Sequence, residues 1–215
     1  IISTIPVPYR LGVFRNLVKE YDLDIFFTRV KDQSRSDKYF IINDNFSFYI
    51  LNNKEGKAKY KEAVKNIVQY DFVIIYEMIQ KESFAIINKC IKKKVPYFIN
   101  CDGAILKPNI IKDIIKRHYI KHVAGCFANG KSATDYFLYY GVSKDKIFIH
   151  NFSSLEEEDI LVAPLDKKYK TELRGSLGLC NKKTVISIGQ FIHRKGFDIL
   201  IKAWAKIKGD YQLLI

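Results

Sequence analysis

Apolar positions along the chain follow two alternating periods. Continuous runs rich in Val, Ile, Phe and Tyr occupy residues 1–5, 24–30, 71–77, 95–101, 125–129, 146–151 and 185–188. Runs this short and this β-branched predict strands buried in a parallel sheet, covered on both faces. Between them the apolar residues recur every three or four positions, as in Leu11, Phe14, Leu17, Val18 and Tyr21. That spacing predicts helices over 11–21, 54–70, 80–93, 109–123, 131–140, 166–179 and 199–207, with Gly141 closing the fifth. Residues 39–51 hold two aromatic runs separated by Asn43-Asp44-Asn45, which predicts a third strand and allows a hairpin before it. The alternation of strand and helix predicts an α/β, Rossmann-like, mostly parallel sheet with helices on both faces.

The rhythm breaks once. Ser153-Ser154, the acidic run Glu156–Asp159 and Pro164 interrupt it, and a connection between two domains belongs there. The expected organisation is a first Rossmann-like domain over 1–151, a connection over 152–183 and the start of a second such domain over 184–215. With 215 residues, 48% of them hydrophobic and 27% charged, the chain has the composition of a globular protein. It contains no apolar run of the length a transmembrane helix needs, and residues 1–10 lack the basic leader of a signal peptide. Cys90, Cys101, Cys126 and Cys180 are too far apart for a paired-cysteine metal site and read as reduced, buried thiols, which suits the cytoplasm. The net charge of +13 adds a preference for polyanions: phosphorylated ligands, an anionic membrane face or nucleic acid.

Four places carry candidate chemistry. After the strand ending at Gly189 come Gln190, then Arg194, Lys195 and Gly196 before the next helix. This is either an ordinary strand-to-helix turn with solvated cations or a phosphate site, because free N–H groups at a helix start favour an anion. The loop Pro6–Arg10 leaves the first strand, since paired prolines do not fit a central strand. It sets Tyr9 and Arg10 where ligands of open α/β sheets bind. Asp102, after the strand 95–101, either opens an Asp-Gly turn or presents a carboxylate to an incoming hydroxyl. The helix 109–123 carries Lys112, Lys116, Arg117 and Lys121 beside an isoleucine face. It either packs those isoleucines on the sheet with its basic side in water or lies on an anionic membrane. His118 and His122 have helical metal-ligand spacing but no acidic or cysteine partner in register, so no metal is expected.

Residues 187–191, SIGQF, with 194–204, RKGFDILIKAW, resemble the opening of the nucleotide-sugar domain in family-4 retaining glycosyltransferases of the GT-B fold. Pro8-Tyr9-Arg10 with the Phe and Leu that follow is similar to the start of members that build surface polysaccharides, and Asn151–Leu155 to their crossing between domains. The resemblance implies a nucleotide-diphosphate-sugar donor, a glycan or polyprenyl-linked acceptor and no metal cofactor. It also implies a place at the inner face of the cell membrane. It assigns the donor diphosphate to Lys195, with Gly189, Gln190, Arg194 and Gly196 around it; Gln190 stands where the family usually has arginine. It assigns the acceptor to Tyr9 and Arg10, and a catalytic or orienting role to Asp102, where many members carry histidine. The family's paired glutamates fall beyond Ile215 in this pattern, so the chain is expected to hold an incomplete donor site and to be inactive alone. A second function class stays open beside it, a basic α/β module that binds polyanions without chemistry. Nucleic acid is disfavoured as its ligand, because the aromatics fall within core patterns and the lysines scatter over several helices.

Overall fold

The computed structural model describes residues 1–30, 46–78, 80–107, 109–150, 155, 157–179 and 182–215. The aromatic run 39–42 with its hairpin, the crossing residues 151–154 and Cys180 lie outside these. The chain divides into two compact units, Ile1–Glu156 and Glu157–Ile215.

Among the described residues the first unit contains seven strands: β1 (Ile2–Ser3), β2 (Phe26–Phe27), β3 (Tyr49–Ile50), β4 (Val73–Ile75), β5 (Tyr97–Cys101), β6 (Gly125–Ala128) and β7 (Ile147–Ile149). They form one sheet in the order β3-β2-β1-β4-β5-β6-β7, and every neighbouring pair is parallel. Five helices connect them: α1 (Pro8–Glu20), α2 (Lys54–Lys65), α3 (Lys81–Lys93), α4 (Ile110–Ile120) and α5 (Gly130–Tyr139). The alternating apolar periods therefore build the Rossmann-like α/β fold they predict.

Because successive strand residues point to opposite faces, the sheet has two apolar sides. On one, Ile2, Phe26, Val73, Ile75, Tyr97, Ile99, Cys126 and Ala128 meet Ala63, Ile86, Ile87, Ile120 and Phe137 from α2 to α5. On the other, Leu11 and Phe14 of α1 cover Ile25 and Phe27. Fully burying such a side chain contributes about 1.5–3 kcal/mol. Farther along this second face Phe98 stacks on Phe127 at 5.6 Å, with Phe148 next at 6.1 Å. Gly125 sits among these rings, where a Cβ would come within 2.9 Å of Phe98 and 2.7 Å of Phe148, so only glycine lets the ladder close.

The second unit contains α6 (Lys167–Ser176), β8 (Lys183–Ile186), α7 (Phe197–Trp204) and β9 (Tyr211–Leu214), with β8 parallel to β9. Asp166 caps α6 by accepting from the N–H groups of Lys168 and Tyr169 at 2.7 and 3.1 Å. The apolar run at 185–188 predicts burial on both faces, but Val185 and Ile186 are 45% and 58% exposed. Among the described residues, two strands and two helices do not cover both sides of a parallel sheet.

Candidate functional site

Arg10 is the centre of the first unit's charged site. The sequence places it in a loop, yet α1 already begins at Pro8, after Val7 as N-cap. Proline fits this first helical position because its missing N–H has no helical partner there and its fixed φ suits the helix. Arg10 therefore lies in the first turn, with its side chain only 4% exposed. Its Nη1 donates to Ser3 Oγ at 2.8 Å and to Glu77 Oε1 at 3.2 Å. Its Nη2 donates to the same Glu77 oxygen at 3.3 Å and to Asp102 Oδ2 at 2.8 Å. The guanidinium carbon lies 4.9 Å from the centre of the Tyr76 ring and 5.8 Å from that of half-buried Tyr9.

These residues meet because of the strand order. Ser3 ends β1, Glu77 follows β4 and Asp102 follows β5, three neighbouring strands whose carboxyl ends point the same way. The chain leaves β1 toward β2 on one side and resumes at β4 on the other. A topological switch point of this kind opens the crevice in which ligands of open α/β sheets sit.

The two carboxylates are held differently. Asp102 has both oxygens engaged, Oδ2 by Arg10 and Oδ1 by Asn100 Nδ2 at 2.7 Å. Glu77 binds Arg10 through Oε1 alone, its Oε2 is buried, and a hydrogen bond from the Thr4 backbone also favours its charged form. Burial pushes the Glu77 carboxyl above its ordinary value, and Arg10 offsets that only in part. Burial also raises the Tyr76 phenol to about 12, against the pull of Arg10. For Arg10 burial acts downward, and the Glu77 and Asp102 charges outweigh it, so the guanidinium stays firmly protonated. A cleft of about 450 Å³ opens beside this array, lined among others by Glu77, Asp102, Ile105, Lys116 and Tyr136.

The structure thus brings Arg10 and Asp102 together, but it gives Arg10 a different task from the acceptor contact expected of it. Arg10 is sealed beneath the carboxylates, while Glu77 and Asp102 remain 32% and 33% exposed. Glu77 and Asn100 were missed at the sequence level. The signal for Glu77 was present, since it follows the strand next to β5 just as Asp102 follows β5.

Helix α4 is inverted relative to the alternative that packs it on the sheet. Its isoleucines do not pack on the sheet: Ile110, Ile111, Ile114 and Ile115 are 82%, 72%, 64% and 49% exposed. The buried side consists of Asp113 and Ile120. Asp113 accepts from Tyr140 at 2.8 Å, Tyr139 at 2.9 Å and the Asn109 N–H at 3.1 Å. The Tyr140 hydroxyl is the main cause of its lowered pKa. Lys116 and Arg117, expected to face outward, lean over tyrosine rings of α5: Lys116 Nζ is 5.2 Å from the centres of Tyr136 and Tyr140, and the Arg117 guanidinium 5.1 Å from that of Tyr139. Attraction between a cation and an aromatic face holds both over these rings, Lys116 half-buried and Arg117 still exposed. Lys112 and Lys121 stay exposed. His118 and His122 lie 5.8 Å apart on this helix, and no group of three metal-ligating side chains exists among the described residues.

In the second unit His193–Lys195 form a single 3-10 turn, which Gly196 ends at φ +66° before α7. That left-handed conformation suits glycine. A Cβ on Gly189 would stand 3.3 Å from the Phe197 ring and 3.7 Å from the Lys195 stem, so the turn folds Lys195 back onto the strand-ending glycine. Gly189, Lys195 and Gly196 thus form one local cluster, with Gln190 and Arg194 beside them in sequence.

No protein-family model matches the chain, and no curated protein matches it. Solved structures do. The chain is similar to Anabaena Alr3699/HepE in complex with UDP-glucose at 16% identity and TM-score 0.62, covering 99% of this chain and 59% of that one. It is similar to the same protein in complex with UDP and glucose at 14% identity and TM-score 0.64. For the complex with UDP the values are 15% and 0.64, over 100% of this chain and 61% of the other. The chain spans about three fifths of the HepE length, and at these identities the likeness establishes a shared fold.

Proposed function

We propose that this chain is the acceptor-side domain and the beginning of the donor-side domain of a nucleotide-sugar glycosyltransferase of GT-B architecture. The observation that carries the reading is the fold match along essentially the whole chain to a protein whose structures hold UDP, UDP with glucose, and UDP-glucose. The charged cleft at the switch point supports it. There Glu77 and Asp102, 32% and 33% exposed, face the cleft in which an acceptor hydroxyl would meet a carboxylate oxygen. The hydroxyl oxygen forms the new bond to the anomeric carbon, the nucleoside diphosphate leaves with the electron pair of the old bond, and the hydroxyl proton passes to a base. A carboxylate with a raised pKa suits that part better than an ordinary one. Asp102, with both oxygens held, orients the acceptor, and Arg10 positions both carboxylates without touching substrate.

On the donor side, Lys195 neutralises the diphosphate, with Arg194 as its neighbour. Transfer with retention, membership of family 4 and a surface-glycan acceptor complete the proposal, on the strength of the sequence resemblance. Calorimetric titration with nucleoside diphosphates, together with a transfer assay on the longest natural form of the protein, tests it. The expected result is binding of at least one nucleoside diphosphate and sugar transfer from the corresponding donor. Absence of both sinks the reading.

A further inference from the structure

Lys116 is a cation that the proposed reaction leaves without a task. Its half-buried side chain lines the cleft of about 450 Å³ together with Glu77, Asp102 and Tyr136. The ammonium lies 5.2 Å from the centres of the Tyr136 and Tyr140 rings, and among the described residues it forms no ion pair. Asp113, the one acid of α4, has both oxygens taken by Tyr139, Tyr140 and the Asn109 N–H. Burial raises the pKa of the Cys101 thiol first of all, with Asp102 adding to the rise and Lys116 opposing it, so both charges reach one side chain of the cleft wall. A partly desolvated ammonium with no carboxylate beside it is costly to keep, unless what it binds brings the countercharge.

We infer that Lys116 selects an acceptor whose reacting sugar carries a carboxylate, the ammonium pairing with that carboxylate while a hydroxyl of the same sugar meets Glu77 and Asp102. This rests on the glycosyltransferase reading of the cleft and names its acceptor class, an acidic sugar of the uronic type. Charge decides between a carboxylate and a phosphate. Glu77 and Asp102 bring two negative charges, Arg10 and Lys116 two positive ones, so the cleft's own charges cancel. A carboxylate adds one negative charge to this balance, whereas a phosphate monoester adds about two, which the neighbouring carboxylates repel. The volume falls within the roughly 300–1,000 Å³ of small-molecule pockets, which leaves room for a sugar ring beside both groups. Tyr136 and Tyr140 already hold the lysine in place, so little side-chain freedom is lost when the anion binds.

Binding of an acceptor needs no donor, so residues 1–215 suffice for the first test. Isotope-edited NMR titration compares methyl glucuronide with methyl glucoside and methyl galacturonide with methyl galactoside, because each pair differs only in a carboxylate against a hydroxymethyl group. The uronate of at least one pair should bind about 10- to 150-fold more tightly than its neutral partner, the effect of one charge-assisted contact, and should shift the amides of Asp102, Gly103 and Lys116. Lys116→Met, which keeps a stem over the tyrosines, should abolish the preference, and Lys116→Arg should keep most of it. Where Lys116→Met loses its helical circular dichroism, Lys116→Gln takes its place. Lys112→Gln, one turn away and exposed, should leave the preference unchanged, which separates the contact from the general pull of a +13 chain. Equal binding within both pairs, or no binding of either uronate, overturns the inference. So do a preference that survives the neutral variants of Lys116, a loss as large in Lys112→Gln, and tighter binding of the phosphorylated methyl glucoside than of the uronates. In the longest natural form of the protein, transfer to neutral acceptors with the same kcat/KM as to uronates sinks this inference alone, whereas uronate-selective binding without transfer from any nucleotide-sugar donor sinks the enzymatic reading alone.

Discussion

Arg10→Met removes the one cation that both carboxylates of the site share. Methionine fills most of the space and cannot donate, so Glu77 and Asp102 are left facing each other, with Asn100 still donating to Asp102. Removing one partner of a buried ion pair costs about 3–5 kcal/mol. Here the arginine is buried but the carboxylates are 32% and 33% exposed, so water recovers part of that loss. The expected destabilisation of the first unit is about 2–3 kcal/mol, or about 5–10 °C in Tm for a unit of this size. Urea unfolding should be followed by circular dichroism, because the only tryptophan, Trp204, reports on the second unit. Arg10→Lys should fall between, since an ammonium keeps the charge but lacks the fork that reaches two carboxylates. A double-mutant cycle with Asp102→Asn isolates the pair: once Arg10 is gone, removing the Asp102 charge should cost nothing or restore stability. A loss under about 0.5 kcal/mol in Arg10→Met, or strict additivity in the cycle, would refute the claim that Arg10 organises the site.

The pH dependence of stability should carry two opposite signatures. Glu77 has a folded pKa above its ordinary 4.5, so the folded state binds the extra proton and stability falls as pH rises from about 4.5 through the folded value; Glu77→Gln should flatten the urea midpoint in that window. Asp113 has a folded pKa below its ordinary 3.8, so its contribution is complete above 3.8 and is lost as pH falls through the folded value. Comparing Asp113→Asn with the parent between pH 2 and 4 by the same titration checks this, and parallel curves would remove Asp113 as the anchor of α4. In the longest natural form of the protein, Lys195→Ala should weaken donor use about 10- to 150-fold, the effect of losing one charge-assisted contact to phosphate. Steady-state transfer kinetics decide it, and unchanged donor use would take the diphosphate away from Lys195.

Much of the fold was legible because parallel sheets write themselves in two clear periods. Each strand of the main sheet falls within an apolar run, and the helices between them follow positions repeated every three or four residues. What periodicity could not supply was the layer a given apolar face meets. The run at 185–188 has the composition of a doubly covered strand, yet among the described residues Val185 and Ile186 lie open beside α6, α7 and β9. Helix starts were similarly blurred. Pro6 and Pro8 both argue against a strand, but only the second sits where a helix accepts proline, and that difference moved Arg10 from a loop into the first turn of α1.

The site was half legible for a reason of a different kind. Strand ends can be read from one sequence, so Arg10 and Asp102 could be placed at the same edge of the sheet. Which strand ends are neighbours depends on strand order, and the order β1-β4-β5 is what brings Glu77 between them. For α4, the expectation that its isoleucines pack on the sheet failed for a related reason. Its isoleucines form the apolar stripe that normally faces a core, but Asp113 offers Tyr139 and Tyr140 an acceptor, and their rings in turn draw in Lys116 and Arg117. Polar contacts to one neighbouring helix, five charged or aromatic side chains acting together, outweigh the burial of four isoleucines and rotate the stripe outward. A sequence read one helix at a time cannot see that partner. The rotation has a consequence for substitutions: Tyr140→Phe removes one hydroxyl from Asp113 and keeps the ring under Lys116, and should loosen α4, whereas Ile111→Ser should leave its stability unchanged. Hydrogen exchange of the α4 amides distinguishes the two, and equal protection in both variants would mean that something other than the tyrosines sets the face this helix shows.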